Sequence, residues 1–168
     1  MNVLFIGGGN MGRALVGGLL AQGCARDAIA VVEVDAAARA RLQSEFGVHA
    51  VPEIGSDVTA GAGTIVLAVK PQHLRLTAQS LAPHLAGQLV ISIAAGIRLV
   101  DLTRWLGGHT RLVRVMPNTP AMIRRGIAGL FAHATVGDVE RGKAAIIAAI
   151  RAAKARATEL GDVLGRDD

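Results

Sequence analysis

Aromatic side chains are almost missing. Three phenylalanines, one tryptophan and no tyrosine make up 2% of the 168 residues. Proteins that hold single-stranded nucleic acid stack bases on aromatic platforms, so no nucleic-acid partner is expected. The net charge of +5 comes from arginines scattered along the chain, at 13, 26, 39, 41, 75 and onward. That pattern is a solvated surface suited to attracting an anionic cofactor. Cysteine is represented only by Cys24, which excludes an intrachain disulfide and fits a reducing compartment. A cytoplasmic location is therefore expected, with Cys24 read as a residue at a helix end. The five histidines, at 49, 73, 84, 109 and 133, fall at no metal-ligand spacing, and one cysteine makes no zinc set. No metal site is expected. Neither a G-x-S-x-G elbow nor a GxxxxGK(S/T) phosphate loop occurs, which argues against a serine hydrolase and a nucleotide-hydrolysing machine. No apolar stretch reaches membrane-spanning length. The N-terminus lacks a basic segment and glycines interrupt its apolar run, so it does not read as a signal peptide. The expectation is a soluble protein with no membrane partner.

What is present is a large apolar fraction, 51% against 18% charged, enough to bury a core. The most informative stretch is at the start. The apolar run Met1–Ile6 feeds Gly7-Gly8-Gly9-Asn10-Met11-Gly12, which opens into the helical pattern from Arg13 to Leu20. Gly7, Gly9 and Gly12 stand at G-x-G-x-x-G spacing between a strand and a helix, the dinucleotide fingerprint in its structural context. Gly7 permits the tight turn, Gly9 lets the backbone approach a pyrophosphate, and Gly12 lets the helix pack on the strand. The unpaired N–H groups and positive dipole of the helix start then face the phosphates.

Strand and helix alternate beyond this turn. Strands are predicted at Ile29–Val34, Val48–Val51, Thr64–Val69, Leu89–Ala94, Arg111–Met116 and Ile127–Ala132. Helices are predicted at Ala36–Phe46, Asp57–Ala62, His73–Leu85 and Val100–Leu106. Pro71 is read as ending the strand before it. Alternation of this kind predicts an α/β fold: a doubly wound, mainly parallel sheet of the Rossmann NAD(P)-binding type. Residues 1–138 form the dinucleotide-binding unit. Residues 139–168 form a long C-terminal helix and tail, in which Ile150, Ala153, Ala157, Leu160 and Leu164 recur at steps of three and four. Two readings of that stripe stand: a helix docked on its own sheet, or a helix that packs on a second copy to make a homo-oligomer.

Ligands of such sheets bind beyond the carboxyl ends of the strands. That rule selects Gly7–Gly12, Glu33–Asp35, Ala68–Gln72, Ala94–Gly96 and Met116–Pro120. Glu33 ends the second strand, where an acidic side chain accepts hydrogen bonds from the adenosine ribose and favours NAD. Asp35 competes for that role. Arg39 and Arg41 follow closely and leave NADP open. Lys70 is read as a cofactor-loop position without catalytic duty, a plain surface charge being the alternative. Asn118 and Thr119, held between Pro117 and Pro120, offer hydrogen bonds to a nicotinamide carboxamide or a small substrate; an ordinary turn is the alternative. No residue stands out as a proton donor, so the catalytic residue is unassigned.

Four blocks in order, FIGGGNMG at 5–12, LAVKPQ at 67–72, VISIAAGI at 90–97 and RVMPNTPA at 114–121, resemble pyrroline-5-carboxylate reductase over about residues 1–140. The resemblance implies a Rossmann domain that binds NADPH or NADH and reduction of the C=N bond of 1-pyrroline-5-carboxylate to proline. By position, Gly7, Gly8, Gly9, Asn10, Met11 and Gly12 would face the pyrophosphate. Ala68, Val69, Lys70 and Pro71 would line the cofactor near its ribose and nicotinamide. Ala94, Ala95 and Gly96 would shape the same cleft, and Asn118 and Thr119 would lie close to the reacting centre. The family also carries a helical dimerisation domain whose SGSGPA loop holds the substrate carboxylate, and that domain is not in this sequence. The tail 149–165 resembles the family's final helix, so the chain reads as a reductase with its middle cut out and its ends joined near Ala144–Ala148.

Overall fold

The four residues of the first strand, Val3–Ile6 (β1), are all buried, which an apolar run achieves only when both faces of a sheet are covered. A computed structural model gives the architecture and describes residues 2–117 and 128–147. In chain order the elements are β1, α1 (Asn10–Ala21), β2 (Ile29–Val32), α2 (Ala36–Phe46), β3 (His49–Val51), α3 (Ser56–Ala60), β4 (Thr64–Leu67), α4 (Pro71–Leu81), β5 (Leu89–Ser92), α5 (Leu99–Trp105), β6 (Leu112–Pro117) and β7 (Ala128–Ala132). A further helix occupies 138–147. The strands form one sheet in the order β3-β2-β1-β4-β5-β6-β7. All pairings are parallel except the last, where β7 runs antiparallel to β6. The fold is the doubly wound α/β sheet expected from the sequence, and the strand order reverses between β1 and β4.

Alternate residues of each strand feed two cores. Phe5, Val31, Ile91 and Val113 join Leu15, Val16 and Leu19 of α1 and Leu42 of α2 on one face. Leu4, Ile6, Ile65, Leu67 and Val90 join Leu74, Ala78 and Leu81 of α4 and Leu102 of α5 on the other. Ala144 and Ile147 of the 138–147 helix belong to the first core, with Val113 and Val115. The 138–147 helix is thus docked on its own sheet. The apolar stripe at residues 150–164 lies outside the described residues.

The strands stop earlier than their apolar runs. β2 ends at Val32 and not Val34, β4 at Leu67 and not Val69, and β5 at Ser92 and not Ala94. In each case the ladder adds one more bond before the chain departs: Glu33 N–H to the Val51 carbonyl at 2.9 Å, Ala68 N–H to Ile6 at 2.8 Å, and Ile93 N–H to Leu67 at 3.3 Å. Pro71 does more than end a strand. It occupies the first turn of α4, where its missing N–H costs nothing and its fixed φ suits the helix. The helix predicted to reach Leu85 gives way at Ala82–His84 to a 3-10 turn around Pro83, a residue that cannot donate an α-helical bond.

Candidate functional site: a cleft beside the glycine turn

Gly7 leaves β1 with φ +104°, a conformation that favours glycine. Its N–H donates to the Val32 carbonyl at 2.8 Å, tying the turn to β2. A Cβ on Gly7 would sit 2.8 Å from the Ala68 carbonyl oxygen, so the turn and the β4–α4 loop are in direct contact. Gly8 is buried, and its N–H donates to Glu33 Oε2 at 2.7 Å. Gly9 caps α1 in extended conformation with no side-chain cap. A Cβ on Gly9 would meet nothing within 4 Å. The first backbone bond of α1 runs from Arg13 N–H to the Gly9 carbonyl at 2.9 Å. The amides of Gly9, Asn10, Met11 and Gly12 precede it and have no protein acceptor among the described residues. Such a helix start is an anion site in waiting. A pyrophosphate fits what is there: unspent N–H groups, open space above Gly9, and no acidic residue in the first turn of α1.

The turn opens on a cleft of about 660 Å³ at the carboxyl edge of the sheet. The glycine turn and the ends of β2, β3 and β4 make one side, and α4 makes the other. Of the residues singled out from sequence, Gly7, Gly9, Glu33, Ala68, Val69 and Lys70 line it together. Gly8, Asn10, Met11 and Gly12 belong to the turn and helix start beside it. Pro71 stands at the head of α4. Ala94, Ala95 and Gly96 follow β5 at the same sheet edge but do not line the cleft; Ala94 is packed into the second core. Asn118 and Thr119 lie outside the described residues. Asp35 does not compete with Glu33: its carboxylate accepts the Ala38 N–H at 2.7 Å as the N-cap of α2.

The opposite wall of the cleft lies outside the residues expected from sequence. His73, Leu76, Thr77 and Ser80 of α4 line the cleft, at positions i, i+3, i+4 and i+7 of one helix face. The buried stripe of α4 is Leu74, Ala78 and Leu81. Leu76 stands off that stripe and is 71% exposed, and an apolar residue on the polar face was the available signal. Val34, Pro52 and Ile54 complete the apolar lining. Val34 is 83% exposed because the chain has left the sheet.

The chain is 44% identical to the pyrroline-5-carboxylate reductase of Pseudomonas aeruginosa over 139 residues, covering 82% of this chain and 50% of that one. The solved pyrroline-5-carboxylate reductase of Coxiella burnetii superposes with a TM-score of 0.79 at 37% identity, over 89% of this chain and 56% of that one. The Plasmodium falciparum pyrroline carboxylate reductase, solved with NADP bound, gives a TM-score of 0.72 at 22% identity, over 90% and 55%, and shares the fold. The chain spans about half the length of the curated relatives it matches. The family model described as NADP oxidoreductase coenzyme F420-dependent matches residues 2–96, more than half of the 168, and the chain belongs to that family.

Proposed function

We propose that this chain is the dinucleotide half of a pyrroline-5-carboxylate reductase, binding NADPH or NADH for the reduction of 1-pyrroline-5-carboxylate to proline. The observation that carries the reading is the set of four unspent amides at Gly9–Gly12, beside open space and at the mouth of the cleft. The relatives named above supply the substrate class. The reduction adds a hydride to the carbon and a proton to the nitrogen of a C=N bond, and a bound reduced nicotinamide supplies the hydride. The residues of this chain do the holding. The amides of Gly9, Asn10, Met11 and Gly12 receive the phosphates, with Gly7 and Gly8 shaping the turn. Glu33 closes the ribose end, and Ala68, Val69, Lys70 and Pro71 bound the cleft from the β4–α4 loop. Ala94, Ala95 and Gly96 extend the same sheet edge, and Asn118 and Thr119 belong nearest the reacting centre. We place the dinucleotide unit at residues 1–138, followed by the C-terminal helix. A single cysteine supports a cytoplasmic setting, and no helix among the described residues is long and apolar enough to cross a membrane.

A second reading, a nicotinamide nucleotide-binding module without turnover, is favoured by the site itself, whose described amides and lining account for nucleotide binding alone. Calorimetric titration with NADPH and NADH, paired with a proline-forming assay, separates the two. Binding with turnover supports the reductase, binding alone supports the module, and no binding overturns both. Self-association through the last helix is supported by the outward Val139 and Ile146 of its described turns. Sedimentation showing only monomer at all concentrations would refute it.

A further inference from the structure

Every polar group of Glu33 is engaged inside the protein. Its N–H donates to the Val51 carbonyl at 2.9 Å. Its carbonyl accepts Arg39 Nη1 at 2.7 Å, a nitrogen that also reaches the Val34 carbonyl at 2.8 Å. Its carboxylate is divided: Oε2 accepts the Gly8 N–H at 2.7 Å, and Oε1 accepts the Asp35 N–H at 2.9 Å. One side chain therefore joins the glycine turn to the β2–α2 loop, and the backbone beneath it is fixed on both sides. Gly8 is confined against this strut. A Cβ at that position would lie 2.6 Å from Leu42 Cδ1 of α2 and 3.2 Å from Glu33 Oε2. The amide of Gly8 immediately precedes those of Gly9–Gly12, so holding it anchors the turn from which they project.

Resting on the dinucleotide reading, we propose that Glu33 is a positioning residue, whose carboxylate holds the Gly8 amide and so aims the phosphate-binding amides, acting alike on cofactors with and without a 2′-phosphate. An acidic residue serving only as a ribose acceptor would instead separate the two, since it favours the free 2′-hydroxyl and repels a phosphate there. Charged hydrogen bonds to backbone amides are among the stronger ones, and losing this one frees the turn to reorient.

The test is to titrate wild type, Glu33→Ala and Glu33→Gln with NADH and with NADPH by calorimetry, and to measure backbone hydrogen exchange in the nucleotide-free proteins. Glu33→Ala is expected to weaken both nucleotides by about tenfold, leaving their ratio unchanged. Glu33→Gln, which keeps one acceptor oxygen, is expected to restore part of the affinity for both. Exchange should quicken at Gly8 and Asp35 while the strands of the sheet keep their protection, which separates loss of the strut from general destabilisation. A loss confined to NADH, or an unchanged Gly8 amide in Glu33→Ala, would overturn the proposal. If the wild type takes up neither nucleotide, the dinucleotide reading fails by itself, and the exchange of Gly8 still decides whether Glu33 holds the turn.

Discussion

The Cα of Gly12 faces the carbonyl oxygen of Gly7 so closely that a Cβ on Gly12 would overlap it. The contact joins the third glycine of the fingerprint to the first, across the turn. Helix propensity alone favours Gly12→Ala by about 1 kcal/mol. The overlapped atom belongs to the backbone and cannot swing aside, so the clash outweighs that gain. We expect Gly12→Ala to lose about 2 kcal/mol in chemical denaturation. Gly142, in the 138–147 helix, is the control. A Cβ there meets nothing within 4 Å, and Gly142→Ala is expected to gain up to about 1 kcal/mol. Equal effects at the two sites would refute the packing role of Gly12.

Gly9 is the reverse case. Its backbone is extended and its missing side chain would point into open space. Gly9→Val is expected to cost less than about 1 kcal/mol of stability, the scale of a changed N-cap. The same side chain fills the space above the unspent amides, so affinity for NADPH and NADH is expected to fall by more than about tenfold. Calorimetric titration beside a denaturation curve reads both quantities. Undiminished affinity would move the phosphate site elsewhere.

Much of this was legible in the sequence because both faces of the sheet are buried. Runs such as Thr64–Leu67 read as strands without ambiguity, and the glycine spacing located the turn. The ends of strands were less legible. Val69, Ile93 and Ala94 remain apolar because they pack on the cores, while the backbone has already left the ladder. Composition records burial and not hydrogen-bond partners. The far wall of the cleft was hidden for a related reason. His73, Leu76, Thr77 and Ser80 are brought to the glycine turn by the packing of α4 on β4, and no local pattern announces a neighbour from another element. The role of Asp35 depends on where β2 stops. Ended at Val32, the chain turns in time for Asp35 to cap α2.

That cap makes its own prediction. Asp35 accepts the Ala38 N–H at 2.7 Å, satisfying one of the free donors at the start of α2. Asp35→Ala is expected to cost about 1 kcal/mol in denaturation, and Asp35→Asn, a comparable cap, much less. Equal losses for the two would show that the charge, and not the cap, carries the effect.

The base of the 138–147 helix supplies a pH dependence. Glu140 accepts Arg111 Nε at 2.9 Å, with Arg111 Nη2 also against it, and accepts the Gly137 N–H at 3.1 Å. Arg111 reaches the Gly87 carbonyl as well, so the cluster fastens the helix to the lower edge of the sheet. The guanidinium of Arg111, helped by the Gly137 amide, holds the Glu140 carboxyl below its ordinary range in spite of burial. A lowered folded pKa means that the stabilisation is fully present above the unfolded value of roughly 4.3. It is lost as the pH falls through the folded value, because protonation then favours the unfolded chain. Arg111 is half exposed while Glu140 is 14% exposed, so solvent screens the pair and the scale is that of a surface ion pair. Glu140→Gln is expected to cost about 1 kcal/mol at pH 7. The gap between wild type and variant should narrow as the medium is acidified below the ordinary glutamate range. Denaturation curves at neutral and acid pH check this, and a gap that stayed constant or widened in acid would show that the Glu140 charge does not stabilise the helix.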